Sequence, residues 1–159
     1  MSDATLTVTA DGLTIERGID APPQAVWAAL TEPGLFASWF GKPTSNVPVE
    51  SVSLDLRPDG AWRATMIVTA TGGEIPWRGR YREVASPDRL SFTLSDAPGA
   101  EFELITFELA EADATGEAGR RTRLTCRQEG GHLSEEQYSR AGAGWLGFLE
   151  ALAEVSARA

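Results

Sequence analysis

The sequence predicts an α+β fold: a curved antiparallel sheet of about seven strands wrapped around one long C-terminal helix, with two short helices after the first strand. Two observations carry this. From Val47 to Gln128 the apolar residues recur with period two between closely spaced turn signals, too close for helical crossovers. After Ser134 the period becomes helical and stays so to the end of the chain.

The elements follow in order. Asp11-Gly12 tolerates the positive backbone angles of a tight hairpin turn, and Val8, Leu13 and Ile15 alternate around it, so a strand or hairpin opens the chain. Pro23 suits the first turn of a helix, because its missing N–H needs no partner there. A helix is predicted over about Pro23 to Leu30, with Val26, Trp27 and Leu30 on one face. A second begins at Pro33, gathers Leu35, Phe36, Trp39 and Phe40, and stops at Gly41.

The strands come next: Val52, Leu54 and Leu56; Trp62, Ala64, Met66 and Val68; Ile75, Trp77, Gly79 and Tyr81; Leu90, Phe92 and Leu94; Ile105, Phe107 and Leu109; Leu124, Cys126 and Gln128. Pro58-Asp59-Gly60, Gly72-Gly73 and Ser86-Pro87-Asp88 supply turns. The acidic, glycine-containing stretch Glu111 to Arg121 reads as a mobile hairpin loop. Ser134 with Gln137 forms a capping box, with Leu133 and Tyr138 placed as its hydrophobic staple. The last helix is predicted over about Ser134 to Ala157, with Trp145, Phe148, Leu149, Leu152 and Val155 on the face that packs on the sheet.

Length and charge bound the function. The 159 residues suit one domain spanning 1–159, since a core of this size buries roughly 70% of the unfolded surface. Fourteen basic against twenty-three acidic residues give a net charge of -9, which argues against nucleic acid as a partner. One cysteine forbids an internal disulfide, and with a single histidine the chain lacks the ligand set of common metal centres, so no cofactor and no metal is expected. The polar amino terminus and the lack of a long apolar run argue against a signal segment and membrane insertion, and predict a cytoplasmic protein.

Several stretches carry a family resemblance: Ile19-Asp20-Ala21-Pro22-Pro23 with Val26-Trp27; Leu30-Thr31-Glu32-Pro33 with Trp39-Phe40-Gly41; and Asp55-Leu56-Arg57-Pro58-Asp59-Gly60. They continue with Gly79-Arg80-Tyr81-Arg82-Glu83-Val84, Ser86-Pro87-Asp88-Arg89-Leu90, and Gly144-Trp145 with Leu149 and Leu152. In order and spacing these resemble the helix-grip fold of the START and Bet v 1 superfamily, in the branch related to the activator of the Hsp90 ATPase. The resemblance implies a cavity between sheet and helix. That cavity has served ligand carriage, cyclisation, hydrolysis and protein interaction in different members, so it specifies the fold more than the function.

The candidate residues can be read in two ways. Trp39, Trp62, Trp77, Tyr81, Phe92 and Trp145 project between sheet and helix, where they either fill a core or, with Met66, form adaptable walls for a ligand. The leading reading is a pocket for an apolar or amphipathic small molecule, lined by Trp39, Met66, Trp77, Tyr81, Phe92, Gln128, Trp145 and Leu149. Gln128 would orient a ligand carbonyl or hydroxyl.

The alternative is acid/base chemistry of the cyclase or hydrolase type with Glu83, Tyr81 or His132, without an assigned catalytic residue. A third reading is a chaperone-linked interaction domain. Glu83 shares parity with Tyr81 and Trp77, which would aim it inward, but the favoured reading is a salt bridge to Arg57 or Arg89. Cys126 and His132 read as an inert buried thiol and an exposed histidine.

Arg78, Arg80 and Arg82 form a positive stripe on the opposite face, either solvated or the contact of a homodimer. Gly142-Ala-Gly144-Trp-Leu-Gly147 fits a dinucleotide-binding pattern, but its place inside a capped helix removes the strand-to-helix turn which that chemistry needs. These glycines should instead loosen the first half of the helix and make it a gate.

Overall fold

The structure is a computed structural model that describes residues 4–96, 102–112 and 121–158. Strands β1 (Ala4–Val8) and β2 (Gly12–Ile19) form the opening hairpin, followed by helices α1 (Pro23–Thr31) and α2 (Pro33–Trp39). The two-residue strands β3 (Ser45–Asn46) and β4 (Ser53–Leu54) flank a short 3₁₀ turn at Val49–Ser51. Next come β5 (Ala61–Val68), β6 (Glu74–Ala85), β7 (Arg89–Leu94), β8 (Glu103–Ala112) and β9 (Arg121–Glu129), and then α3 (Glu135–Arg158). The sheet order is β1-β2-β9-β8-β7-β6-β5-β3, antiparallel throughout, with β4 also paired to β5.

The sheet thus has nine strands among the described residues rather than about seven. The difference is the second strand of the N-terminal hairpin and β3, which precedes the strand expected over Val52, Leu54 and Leu56; of that strand β4 keeps Ser53–Leu54. β8 and β9 run to Ala112 and from Arg121, and the acidic connection expected between them lies outside the described residues.

Prolines and glycines set the helix ends. Pro23 and Pro33 occupy the first turns of α1 and α2, and Glu32 is at once the last cap of one and the first cap of the other. Gly41 takes φ +89 just beyond α2, a conformation that an L side chain rarely adopts. At α3 the capping box is reciprocal: Gln137 N–H donates to Ser134 Oγ at 3.1 Å and Ser134 N–H to Gln137 Oε1 at 2.8 Å. Helix α3 packs on α1, α2, β1 and β2, and closes the concave side of the sheet.

At Gly79 the strands and the Trp62 indole approach closely. Trp62 on β5 lies over Gly79 on β6 and donates its Nε1–H to Thr93 O on β7 at 2.9 Å. A methyl group at Gly79 would lie 1.7 Å from Thr93 O and 2.5 Å from Trp62 Nε1. Just beyond, a bulge between Tyr81 and Glu83 shifts the register against β7. Tyr81 therefore stays inside, paired to Phe92, while Glu83 leaves the inner face.

The helix glycines play separate parts. Gly142, Gly144 and Gly147 lie well inside α3, so no helix N-terminus faces a phosphate there. A methyl at Gly142 would press on Leu6 of β1 at 2.8 Å, whereas one at Gly144 would meet nothing within 4 Å. Gly144→Ala should thus gain the helix propensity of alanine, about 1 kcal/mol, and raise Tm by roughly 2–4 °C in a scanning calorimeter. A fall in Tm would mean that the space beside Gly144 is used.

A candidate ligand site between the sheet and the long helix

The inner face of the sheet and the facing helices supply a chain of aromatic rings. Trp39 meets Phe36 edge-on at 5.1 Å and Phe107 at 6.4 Å; Phe107 meets Trp145 at 5.9 Å; Trp145 meets Phe148 at 5.4 Å. On the sheet side Trp62 and Tyr81 both pack on Phe92, which tilts against Phe107. Of the residues expected to line a pocket, Trp39, Met66, Tyr81, Phe92, Gln128, Trp145 and Leu149 are buried together. Trp77 is half-buried, opposite Ala64 across the β5–β6 ladder.

The indole N–H groups separate these rings. Trp39 donates to Ala29 O at 2.8 Å, Trp62 to Thr93 O, and Trp145 to Gln128 Oε1 at 2.8 Å. Trp77 Nε1 is buried without a hydrogen-bond partner. An unmade bond of this kind costs about 1–3 kcal/mol, so it is unusual in a packed interior.

A polar strip runs from Trp145 toward the start of α3. Gln128 accepts from Trp145 and donates through Nε2 to Glu103 Oε1 at 3.3 Å, and Glu103 Oε2 lies 3.5 Å from His132 Nδ1. Tyr138, fully buried, accepts from Gly131 N–H at 2.7 Å. Burial first, and then the Glu103 carboxylate, raise its phenol above the ordinary value.

Gln128 was legible in the sequence as an inward polar residue; Glu103 was missed. Its signal was parity, since it shares the inward face of β8 with Ile105, Phe107 and Leu109, and a carboxylate at such a position needs partners. His132, exposed as expected, faces that carboxylate.

Glu83 does not point inward. The bulge turns it out, where Arg89 Nε holds it at 2.8 Å, and the same Arg89 pairs with Glu108, which also pairs with Arg127. The salt bridge favoured for Glu83 is therefore the one that forms, with Arg89 rather than Arg57, and the acid/base alternative at Glu83 fails.

Cys126 is fully buried, with Ile15 and Phe107 as its cross-strand neighbours, and burial pushes its thiol well above the ordinary range. Burial, with a smaller contribution from Asp55, does the same to Tyr81. Both groups hold their protons more tightly when folded. Their contribution is therefore complete below the unfolded values, about 8.5 for a thiol and about 10 for a phenol, and is lost as the pH rises past them. Urea midpoints should stay level from pH 6 to 8 and fall between pH 9 and 11. Native Cys126 should resist a thiol reagent that labels the unfolded chain at once; rapid native labelling would contradict its burial.

Among the described residues no group of three or more His, Cys, Asp or Glu could hold a metal ion, and no helix is long and apolar enough to cross a membrane. A cleft of about 390 Å³ opens between the end of α2 and α3, beside Lys42, Pro43, Gly147 and Ala151.

A curved antiparallel sheet closed by a long terminal helix, with two short helices after the first hairpin, defines the helix-grip class. The chain belongs to the family of Activator of Hsp90 ATPase homolog 1-like proteins, whose model matches residues 20–157. Its fold is similar to that of a crystallised protein from Nitrosomonas europaea, with TM-score 0.76, 24% identity, and 97% of this chain and 99% of that one covered. The AHSA1 protein from Silicibacter pomeroyi is similar at TM-score 0.72 and 23% identity, with 90% and 95% covered. A protein from Arthrobacter aurescens solved by NMR gives TM-score 0.78 at 20% identity, with 98% and 92% covered. No curated protein matches the chain in sequence.

Proposed function

We propose that the chain acts as one domain that binds an apolar or amphipathic small molecule on the inner face of the sheet, beneath α3. The observation that carries this is Trp77, whose buried N–H has no acceptor on the concave face. A ligand with a hydroxyl, carbonyl or carboxylate at one end would satisfy that donor. Its apolar body would lie against Met66 and the Phe92 and Trp145 rings, with Tyr81, Trp39 and Leu149 behind and Gln128 at the polar strip. Met66 sits opposite Ile75, two residues along β6 from Trp77, and its unbranched side chain can move aside for a guest. The helix-grip fold of this family is a known ligand-binding scaffold, which agrees with the reading.

Dodecanoate is a suitable probe, having one acceptor head and one apolar tail. Saturable quenching of tryptophan fluorescence is expected, and Trp77→Phe should weaken binding about fivefold, the loss of one hydrogen bond, with the circular dichroism unchanged. Absence of saturable binding, or equal affinity in the variant, would overturn the reading.

Acid/base chemistry in the same region is favoured by a single observation: the nearly buried Glu103 carboxylate beside His132. Such a site would show turnover that disappears in Glu103→Gln while dodecanoate affinity is retained.

A further inference from the structure

We propose that the outer face of β5 and β6 binds an extended acidic peptide from a protein partner. A groove of about 1220 Å³ lies on this face, larger than most small-molecule pockets and open along its length. Its floor carries Arg63, Arg78, Arg80 and Arg82, and its acidic lining is limited to Glu50 and Asp59. This is a positive surface on a chain whose net charge is -9.

The arrangement is costly without an occupant. Arg63 and Arg78 are direct cross-strand partners, and like charges placed so repel each other. Neither they nor Arg82 forms an ion pair among the described residues, and the Arg80 guanidinium donates to the backbone oxygen of Asp59, at 2.8 Å. Other arginines of the sheet are paired: Arg89 and Arg127 share Glu108, and Arg17 holds Glu150. The concentration of unpaired cations on this face is therefore local.

The spacing selects the occupant. Arg78, Arg80 and Arg82 recur every second residue, about 7 Å apart along a strand. An extended peptide with acidic side chains at alternate positions repeats with the same period, so successive carboxylates meet successive guanidiniums. At one end Phe102, exposed and stacked 5.6 Å from the Arg82 guanidinium, offers an apolar shelf for a hydrophobic residue of the peptide.

The probe is a fluorescein-labelled peptide, Phe-Glu-Ser-Glu-Ser-Glu-Ser, with its glutamine analogue as control, followed by anisotropy. The acidic peptide should bind saturably and weaken steeply with salt, and the analogue should not bind. The double variant R63Q/R78Q should weaken binding about tenfold. Its Tm should be unchanged or higher, because the substitution also removes a like-charge pair.

Equal binding of the analogue, or displacement of the peptide by an equal concentration of inorganic phosphate, would overturn the proposal. So would a drop in Tm with unchanged peptide affinity, which would make the arginines structural. Concentration-dependent sedimentation of the wild type that R63Q/R78Q abolishes, with no peptide binding, would identify the occupant as a second copy of the chain.

Discussion

Gly79→Ala is expected to lower stability by about 3 kcal/mol or more and Tm by roughly 10 °C, one of the largest effects of any single methyl in this protein. Strand propensity alone gives the opposite sign, since alanine gains about 0.5–1 kcal/mol over glycine in a strand. The contacts decide otherwise. The added carbon would sit 1.7 Å from the Thr93 carbonyl oxygen, which is backbone and cannot swing away, and would displace the Trp62 indole that donates to that oxygen. Relieving the clash means separating β6 from β7 or expelling Trp62 from the core. Trp62→Phe isolates the second part: it keeps a ring over Gly79 but leaves Thr93 O short of a donor, a loss of about 1–3 kcal/mol. A Gly79→Ala variant with wild-type urea stability would show that Thr93 O and Trp62 do not crowd Gly79 as described.

Trp39→Ala should cost about 3–5 kcal/mol, a large share of the 5–15 kcal/mol that holds a typical domain together. Trp39 is fully buried at the end of α2, edge-on to Phe36, Phe40 and Phe107, and its N–H satisfies Ala29 O in the last turn of α1. The residue therefore joins α1, α2 and the sheet, and removing it leaves both a void and an unmet carbonyl. Trp39→Phe keeps most of the volume and loses the donor, so its cost should fall between wild type and Trp39→Ala in urea melts. Equal costs for the two would place the energy in the hydrogen bond rather than in the rings.

These contacts show where the sequence was informative. Period-two alternation located every strand of six or more residues, because one buried face forces it. Ser134 with Gln137, and Pro23 and Pro33, marked helix starts because caps and prolines act within one turn. β3 escaped because two residues cannot show a period, and β4 keeps only Ser53–Leu54 of the strand expected over Val52, Leu54 and Leu56.

The pairing of Glu83 with an arginine was legible, but parity alone turns it inward, because parity propagates only through an unbroken ladder and the Tyr81/Glu83 bulge inserts one residue. For the proposed site, the burial of most of the named residues was legible and their hydrogen bonding was not. Alternation places Trp39, Trp62, Trp77 and Trp145 on one side. Which indole finds an acceptor depends on backbone oxygens of Ala29 and Thr93 and on Gln128, brought near only by the fold. Glu103 needed the same tertiary view, since its partners Gln128 and His132 lie on a distant stretch of chain.

A small molecule bound beneath α3 through Trp77, as proposed, would report itself in ¹H–¹⁵N spectra of the five tryptophan indoles. Trp39, Trp62 and Trp145 already donate to protein oxygens, whereas Trp77 does not. Titration with dodecanoate should move the Trp77 indole proton downfield as it gains an acceptor, with the Trp39 and Trp62 signals nearly fixed. An unmoved Trp77 signal at dodecanoate concentrations that shift the others, or no shift in any indole, would contradict the claim.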